Sequence, residues 1–150
     1  MTEELLRKGE LAKKAAFSLA VVDTETKNRA LRAVADALLA ESKSIIEANK
    51  RDIESARKKG IREAMIDRLT LTEERIAGIA EGVRQVAALP DPIGKTVDEW
   101  TRPNGLVISR KRVPMGVIAI IFEARPNVTA DAAALCLKTS NAVILRGGSE

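Results

Sequence analysis

Residues 113–150 read VPMGVIAIIFEARPNVTADAAALCLKTSNAVILRGGSE, and this stretch decides the fold. The run GVIAIIF at 116–122 is short and almost wholly apolar, which is typical of a strand buried on both faces of a parallel sheet. A helix is predicted from Asn127 or Thr129 to about Lys138, and a second buried strand is predicted at 142–145. Together they form one βαβ unit, for which we expect a right-handed crossover.

A polar loop follows each strand of this unit, EARPN at 123–127 and RGGSE at 146–150. Ligands of open α/β sheets bind beyond the carboxyl ends of the strands. The two loops are therefore the predicted binding region.

The first 94 residues are predicted to be helical. Apolar stripes at helical spacing predict helices at 3–21, about 24–41, about 44–60, 63–68 and 73–88. Ser44 with Glu47, and Thr70 with Glu73, fit the capping box that begins a helix. The positions expected to be buried in the second helix are Leu31, Val34, Ala35 and Leu38.

A break at Pro90-Asp91-Pro92 separates the helices from a predicted hairpin. Asn104-Gly105 lies between two strand-like runs, and such a pair strongly favours a hairpin turn. Its arms are predicted at 97–102 and 106–112. The chain thus divides into a helical part at 1–94, a hairpin at 95–112 and the βαβ start at 113–150.

The composition excludes several classes of site. One cysteine and no histidine rule out an internal disulfide, a Ser-His-Asp triad and a Cys-His pair, and they disfavour a structural zinc site, so no metal is expected. The start, MTEELLRKGE, lacks the apolar core of a signal peptide, and no stretch approaches the roughly 20 apolar residues of a membrane span. These features favour a cytoplasmic protein.

The combination of EARPNV at 123–128 and NAVILRGGSE at 141–150 carries a specific resemblance. The chain closely resembles the γ-glutamyl phosphate reductases, also called glutamate-5-semialdehyde dehydrogenases, a branch of the aldehyde dehydrogenase superfamily. DRLTLTEERIAGIAEGVRQVAALPDPIG at 67–94 and DEWTRPNGL at 98–106 extend it over essentially the whole chain. The resemblance implies an α/β fold with N-terminal helices, an oligomerisation hairpin and the first βαβ unit of a Rossmann-like cofactor domain.

The resemblance also implies a reaction in proline biosynthesis. A cysteine thiolate displaces phosphate from γ-glutamyl phosphate to leave a thioester, and NADPH reduces the thioester to glutamate-5-semialdehyde. We expect a cytoplasmic homo-oligomer that is functionally coupled to glutamate 5-kinase. The chain would be an N-terminal portion of the enzyme, inactive alone, with the nucleophile beyond residue 150. Cys136 lies mid-helix between leucines and is expected to be a buried small hydrophobe, not that nucleophile.

The second loop suggests a cofactor site. Glycines let the backbone approach a ligand closely, and an arginine offers a planar fork of donors to phosphate, although a solvent-exposed turn is the alternative. In relatives that use NAD the equivalent loop commonly reads Lys-Pro-x-Glu, and its glutamate holds the ribose hydroxyls. Ser149 stands at that glutamate's place, which favours NADPH, while a one-residue shift would bring Glu150 there. The residues expected to bind cofactor are Glu123, Ala124, Arg146, Gly147, Gly148, Ser149 and Glu150.

The first loop suggests a substrate site. Arg125 has the chemistry to bind a carboxylate or a phosphate, and Asn127 has the chemistry to donate to a developing oxyanion. The alternative is that Asn127 or Thr129 simply caps the following helix. In related aldehyde dehydrogenases an asparagine near this strand end helps form the oxyanion hole, and an ungapped match places Arg125 there.

Two other classes of function remain open from the sequence. One is a non-catalytic cofactor-binding or assembly module. The other is a nucleic-acid-binding helical domain, suggested by a pI near 9.4. The interleaved acidic residues and the aromatic content of 2% argue against nucleic acid.

Overall fold

The computed structural model describes residues 3–123 and 125–148, in which five helices precede three strands, a sixth helix and a fourth strand. The helices are α1 (Glu3–Leu19), α2 (Thr24–Ala40), α3 (Ser42–Lys58), α4 (Glu63–Leu69), α5 (Glu73–Ala88) and α6 (Asn127–Lys138). The strands are β1 (Thr96–Thr101), β2 (Val107–Lys111), β3 (Val117–Ile121) and β4 (Ala142–Arg146). The α/β fold class is therefore confirmed.

The main core lies where α2, α5 and α6 pack together. Its side chains are aliphatic and mostly small, which lets the three helices approach closely and fill the interior without aromatic rings. The buried members are Leu31, Ala35, Ala80, Val83, Ala87 and Ala134. This core fixes α6, the crossover helix of the βαβ unit, against the helical part of the chain.

Strands β3 and β4 pair in parallel, with Val117 opposite Ala142 and Ile121 opposite Arg146. Helix α6 connects them, so the predicted βαβ unit is confirmed. The handedness of its crossover stays a prediction. Helix α1 packs against both strands and α6 packs against β4.

The prediction that these strands are buried on both faces is wrong for the described residues. Exposed and half-buried residues alternate along β3, and Ile121 is 82% exposed. The physical reason is that this sheet has two strands, on which only α1 and α6 pack extensively. Much of the apolar surface of β3 therefore has no neighbour within residues 3–123 and 125–148.

The hairpin is confirmed; its first arm lies one residue earlier than predicted, and its second arm is shorter by one residue at each end. Strands β1 and β2 pair antiparallel, and Gly105 adopts a φ of 84° in the turn, a conformation that favours glycine. Leu106 N donates to Asn104 Oδ1 at 3.2 Å and steadies the turn. Every residue of β1 is exposed. The division of the chain into three parts stays a prediction.

Both predicted capping boxes are wrong. Thr72 caps α5 by accepting a bond from Arg75 N at 3.1 Å, whereas Thr70 ends α4 and donates to Ile66 O at 2.7 Å. Glu41 is both the C-cap of α2 and the N-cap of α3, so no loop separates the two helices. Helix α3 therefore begins at Ser42, and Ser44 lies within its first turn and not at its N-cap.

One predicted core position of α2 is also wrong. Leu31 and Ala35 are buried and Leu38 packs against the core, but Val34 is 45% exposed. The buried stripe is narrower than predicted because α2 turns a single side toward α5 and α6.

Candidate functional site

The carboxyl ends of β3 and β4 meet at one edge of the small sheet. Phe122 N donates to Arg146 O at 3.0 Å, which continues the pairing beyond Ile121 and brings Glu123 toward Arg146 and Gly147. A Cβ placed on Gly147 would lie 4.0 Å from the Phe122 ring, which is an ordinary contact. Packing among the described residues therefore does not require a glycine at this position.

A groove of about 590 Å³ lies between α1 and this edge. Glu4 and Lys8 of α1 line it on one side, and Ile121, Ile144 and Arg146 line it on the other. The Arg146 side chain is exposed and donates no hydrogen bond to the described residues. The hydrogen bond and charge of Lys8, 2.7 Å away, lower the pKa of Glu4, and the charge of Arg146 lowers it slightly further.

A second cleft, of about 430 Å³, lies between the α4–α5 turn, α5 and the start of α6. Arg125 and Asn127 both line it, so the structure brings the two predicted substrate residues together. They do not share a cavity with Arg146. The loops after β3 and β4 thus open into different cavities, although both were predicted at one edge of the sheet.

Asn127 is the first residue of α6 and does not cap it. Pro126 is the N-cap, because its fixed φ of −64° suits the start of a helix and it needs no N–H partner. The prediction that Asn127 or Thr129 caps α6 is therefore wrong. The Asn127 amide instead donates to Asp131 Oδ2 at 3.0 Å, one turn along the helix, and this bond orients it at the cleft.

Arg125 is exposed at the mouth of the cleft. Its guanidinium donates no hydrogen bond and forms no ion pair with any side chain in the part of the chain that the structure describes. Its donors are available to an anionic ligand.

Comparison with known proteins was made against families, curated proteins and solved structures. No family model matches the chain. γ-Glutamyl phosphate reductase from Clostridium novyi is 60% identical over 140 residues, which are 93% of this chain and 34% of the relative. The same enzyme from Anoxybacillus flavithermus is 54% identical over 146 residues, 97% of this chain and 35% of the relative.

The solved structures agree with the sequences. The crystal structure of γ-glutamyl phosphate reductase from Thermotoga maritima has a TM-score of 0.96 at 43% identity, covering 98% of this chain and 36% of that one. The yeast enzyme has a TM-score of 0.87 at 36% identity, covering 92% of this chain and 35% of that one.

The chain is homologous to the γ-glutamyl phosphate reductases. The resemblance seen in the sequence is thereby confirmed. The chain spans about a third of the length of the curated relatives it matches.

Sequence reasoning missed a buried polar network at the far end of α6 from the cleft of this reductase homologue. Lys27 Nζ lies 2.5 Å from Asp91 Oδ2 and donates to Ser140 Oγ at 2.9 Å. Lys138 Nζ donates to Asn28 Oδ1 at 2.6 Å and to Ala87 O at 2.8 Å. The network joins α2, the segment after α5 and the end of α6, so it fixes α6 at the end opposite Asn127.

Burial and hydrogen bonding act against each other in this network. Burial raises the pKa of Asp91, but hydrogen bonds from Lys27, Ile93 and Thr24, with the charge of Lys27, outweigh that effect and lower the pKa below its ordinary value. Burial lowers the pKa of Lys138, and the charge of Asp91 offsets this in part. The Asp91 carboxylate therefore forms an ion pair with Lys27, and its charge also stabilises the ammonium group of Lys138.

The other predicted residues are the cysteine of α6 and the rest of the proposed cofactor set. Cys136 is 4% exposed, and burial raises the pKa of its thiol, so the prediction that this cysteine is buried is confirmed. Ala124, Ser149 and Glu150 lie outside the described residues, and Gly148 is exposed after β4. Among residues 3–123 and 125–148 no cluster of His, Cys, Asp or Glu is placed to hold a metal, and no helix has the length and apolar character to cross a membrane.

Proposed function

We propose that this chain forms part of an NADPH-dependent reductase that converts γ-glutamyl phosphate to glutamate-5-semialdehyde and phosphate in proline biosynthesis. One observation carries the proposal. Arg125 and Asn127 line a single cleft, in a chain whose relatives at 54% and 60% identity are γ-glutamyl phosphate reductases. An arginine suits a phosphate group, and an oriented amide suits the oxyanion that develops at an acyl carbon.

In this proposal the cleft binds the reacting end of the substrate. The Arg125 guanidinium binds the phosphate, because its planar fork matches phosphate oxygens. Asn127 uses one amide hydrogen on Asp131 and keeps the second for the oxyanion that develops at the acyl carbon. Asp131 is a positioning residue that holds the amide in place.

In this proposal the cofactor binds beside the other groove, which Arg146 lines. Arg146 supplies the charge that binds the 2′-phosphate of NADPH, and Gly147 and Gly148 let the backbone approach the cofactor. Glu123, Ala124, Ser149 and Glu150 complete the proposed set. The bound NADPH would supply the hydride.

The proposal also assigns roles to the parts of the chain. Residues 1–94 and 113–150 contribute to cofactor binding, and the hairpin at 95–112 pairs with another subunit in a cytoplasmic homo-oligomer. The exposed β1 strand supports this, because its edge and its side chains have few neighbours. Coupling to glutamate 5-kinase belongs to the same proposal.

The substrate role of Asn127 is tested in the full-length enzyme that carries this sequence. Activity is measured in reverse, with glutamate-5-semialdehyde, phosphate and NADP⁺. Asn127→Ala should lower kcat by roughly 100- to 1000-fold, the usual loss when one oxyanion donor is removed. Gln85→Ala removes an exposed amide on α5 outside the cleft and should leave kcat unchanged. Full activity in Asn127→Ala would contradict the assignment.

The cofactor role is tested by comparing kcat/KM for NADPH and NADH. Ser149→Glu and Arg146→Gln should each reduce the efficiency with NADPH at least roughly tenfold more than that with NADH, which corresponds to about 1.4 kcal/mol. Arg7→Gln, at an exposed site on α1, is the control. Equal losses with both cofactors would mean that this loop does not bind the 2′-phosphate.

The chain alone is a candidate non-catalytic module. Its one cysteine is buried, so no thiolate is accessible to an acyl phosphate. We expect the 150-residue chain to show no reductase activity. Turnover that persists in the chain and vanishes in Cys136→Ser would overturn this expectation.

A further inference from the structure

The turn between α4 and α5 forms one wall of the cleft, and a buried amide holds it from below. Asn49 donates from Nδ2 to Leu69 O at 2.9 Å and accepts at Oδ1 from Leu71 N at 2.7 Å. Both ends of the buried amide are therefore used on the backbone of a turn twenty residues away in sequence. These two bonds anchor the turn to α3.

A second side chain holds the same turn from α5. Arg75 donates to Thr70 O at 2.7 Å and also to Asp67 O, and its Nη2 lies 3.0 Å from Asp67 Oδ1. Arg75 is thus committed to the protein, and the Asp67 carboxylate is already paired. Neither charge is left to satisfy the remaining arginine of the turn.

That remaining arginine is Arg68, which lines the cleft between these two anchored residues. Within the described part of the chain its guanidinium has no hydrogen-bond acceptor and no ion-pair partner. The anchored turn therefore presents a permanent cation to the same cleft that Asn127 lines at the start of α6.

A glycine of α5 that packing does not explain also lines the cleft. Gly78 lies inside α5, where glycine is less favourable than alanine. A Cβ at Gly78 would meet no atom within 4 Å, whereas a Cβ at Gly82, one turn later, would lie 4.0 Å from Asp131 Oδ1. The missing side chain at Gly78 enlarges the cleft without relieving any contact in the protein.

We propose that Arg68 binds the α-carboxylate of the substrate's amino-acid end, and that Gly78 leaves the space this end occupies. The inference rests on the proposed function, in which Arg125 binds the phosphate. The substrate then carries an anion at each end, and the cleft has a second unpaired arginine for the second anion. A guanidinium and a carboxylate form two parallel hydrogen bonds, which select an amino-acid substrate over an aldehyde without the carboxylate.

The test uses the full-length enzyme with two aldehydes, glutamate-5-semialdehyde and 4-aminobutanal, which lacks the carboxylate. Arg68→Gln should lower kcat/KM for glutamate-5-semialdehyde by about tenfold or more, mainly through KM, because a charged hydrogen bond is lost. It should leave kcat/KM for 4-aminobutanal unchanged. Arg62→Gln, an exposed arginine next to α4 but outside the cleft, should change neither.

Gly78→Ala is an independent test of the same cleft. It should raise KM for glutamate-5-semialdehyde without lowering the thermal midpoint, since the added methyl group clashes with no protein atom. Gly9→Ala, at an open position in α1, is the matched control and should leave KM unchanged. An unchanged KM in Gly78→Ala would overturn the role given to this residue.

The outcomes separate this inference from the proposed function. If Arg68→Gln lowers kcat/KM equally for both aldehydes, or for neither, then Arg68 does not bind the carboxylate. If the wild-type enzyme turns over neither aldehyde, the proposed function fails, and L-glutamate binding decides the inference. A rise in thermal midpoint with L-glutamate in wild type that is absent in Arg68→Gln would support it, and no rise in wild type would overturn it.

Discussion

Replacing Lys27 with methionine should lower the free energy of unfolding far more than the loss of an ordinary surface lysine on a helix. Methionine keeps the apolar stem of the side chain but removes the ammonium group 2.5 Å from Asp91 Oδ2. The two side chains are 1% and 10% exposed, so Asp91 would keep its charge with little water to solvate it. Removing one partner of a buried pair costs roughly 3–5 kcal/mol.

The structure places the expected cost at the lower end of that range. Asp91 would still accept bonds from Thr24 Oγ1 at 2.7 Å and from Ile93 N at 2.9 Å. We therefore expect Lys27→Met to cost about 3 kcal/mol. In a Lys27→Met background, Asp91→Asn should cost much less than in wild type, because the two groups are coupled.

An ion pair at the surface of α2 supplies a control. Arg84 of α5 lies 2.8 Å from Asp36 of α2, but these side chains are 40% and 70% exposed. Exposed pairs contribute less than about 1 kcal/mol, so Arg84→Met should have a small effect. The comparison therefore sets a buried ion pair against an exposed one.

The assay is urea unfolding followed by circular dichroism. With a slope of about 2 kcal/mol per molar urea, Lys27→Met should lower the midpoint by about 1.5 M and Arg84→Met by less than about 0.5 M. Equal shifts for the two variants would refute the reasoning, since burial would then not decide the cost.

Four further outcomes follow from the same structure. The pKa of Asp91 is lowered below its ordinary value of 3.8, so its contribution to stability is complete above that value and is lost as pH falls through the lowered pKa. Asp91→Asn should therefore weaken the dependence of the unfolding free energy on pH below about pH 4. Asn49→Ala removes two hydrogen bonds to a buried turn and should cost about 2–3 kcal/mol in urea unfolding. Cys136 should react with iodoacetamide slowly in the native chain and rapidly in urea, and fast native labelling would contradict its burial. Deleting 97–110 from the full-length enzyme should give monomers in sedimentation, whereas an unchanged oligomer would exclude the hairpin as the assembly arm.

Local patterns sufficed for the βαβ unit and the hairpin. Apolar runs of strand length, a helical stripe between them and a Pro126 break specify β3, α6 and β4 within one or two residues. The Asn104-Gly105 pair specifies the turn in the same way. These patterns involve only residues that are close in sequence, so the amino-acid sequence alone is enough to predict these elements.

The partners of the buried lysines could not be predicted from the sequence, because they are set by tertiary contacts between distant segments. Lys27 stands four residues before Leu31 and eight before Ala35, so it continues the buried stripe of α2. That spacing is a signal that Lys27 points inward, but its partner Asp91 lies in a proline-rich segment after α5. A charged side chain on an apolar stripe is therefore the feature to examine when buried pairs are sought in a sequence.

The separation of the two loops follows from where the chain goes after each strand. After β3 it enters α6, whose first turn packs beside α5, so Arg125 and Asn127 face the α4–α5 turn. After β4 the described chain ends in the loop beside α1, so Arg146 faces the other groove. The order of the strands predicts only that the two loops lie at the same edge of the sheet. Because the two cavities share no lining residue, a substitution at Arg68 and one at Arg146 perturb different walls, and their kinetic effects should be additive in free energy.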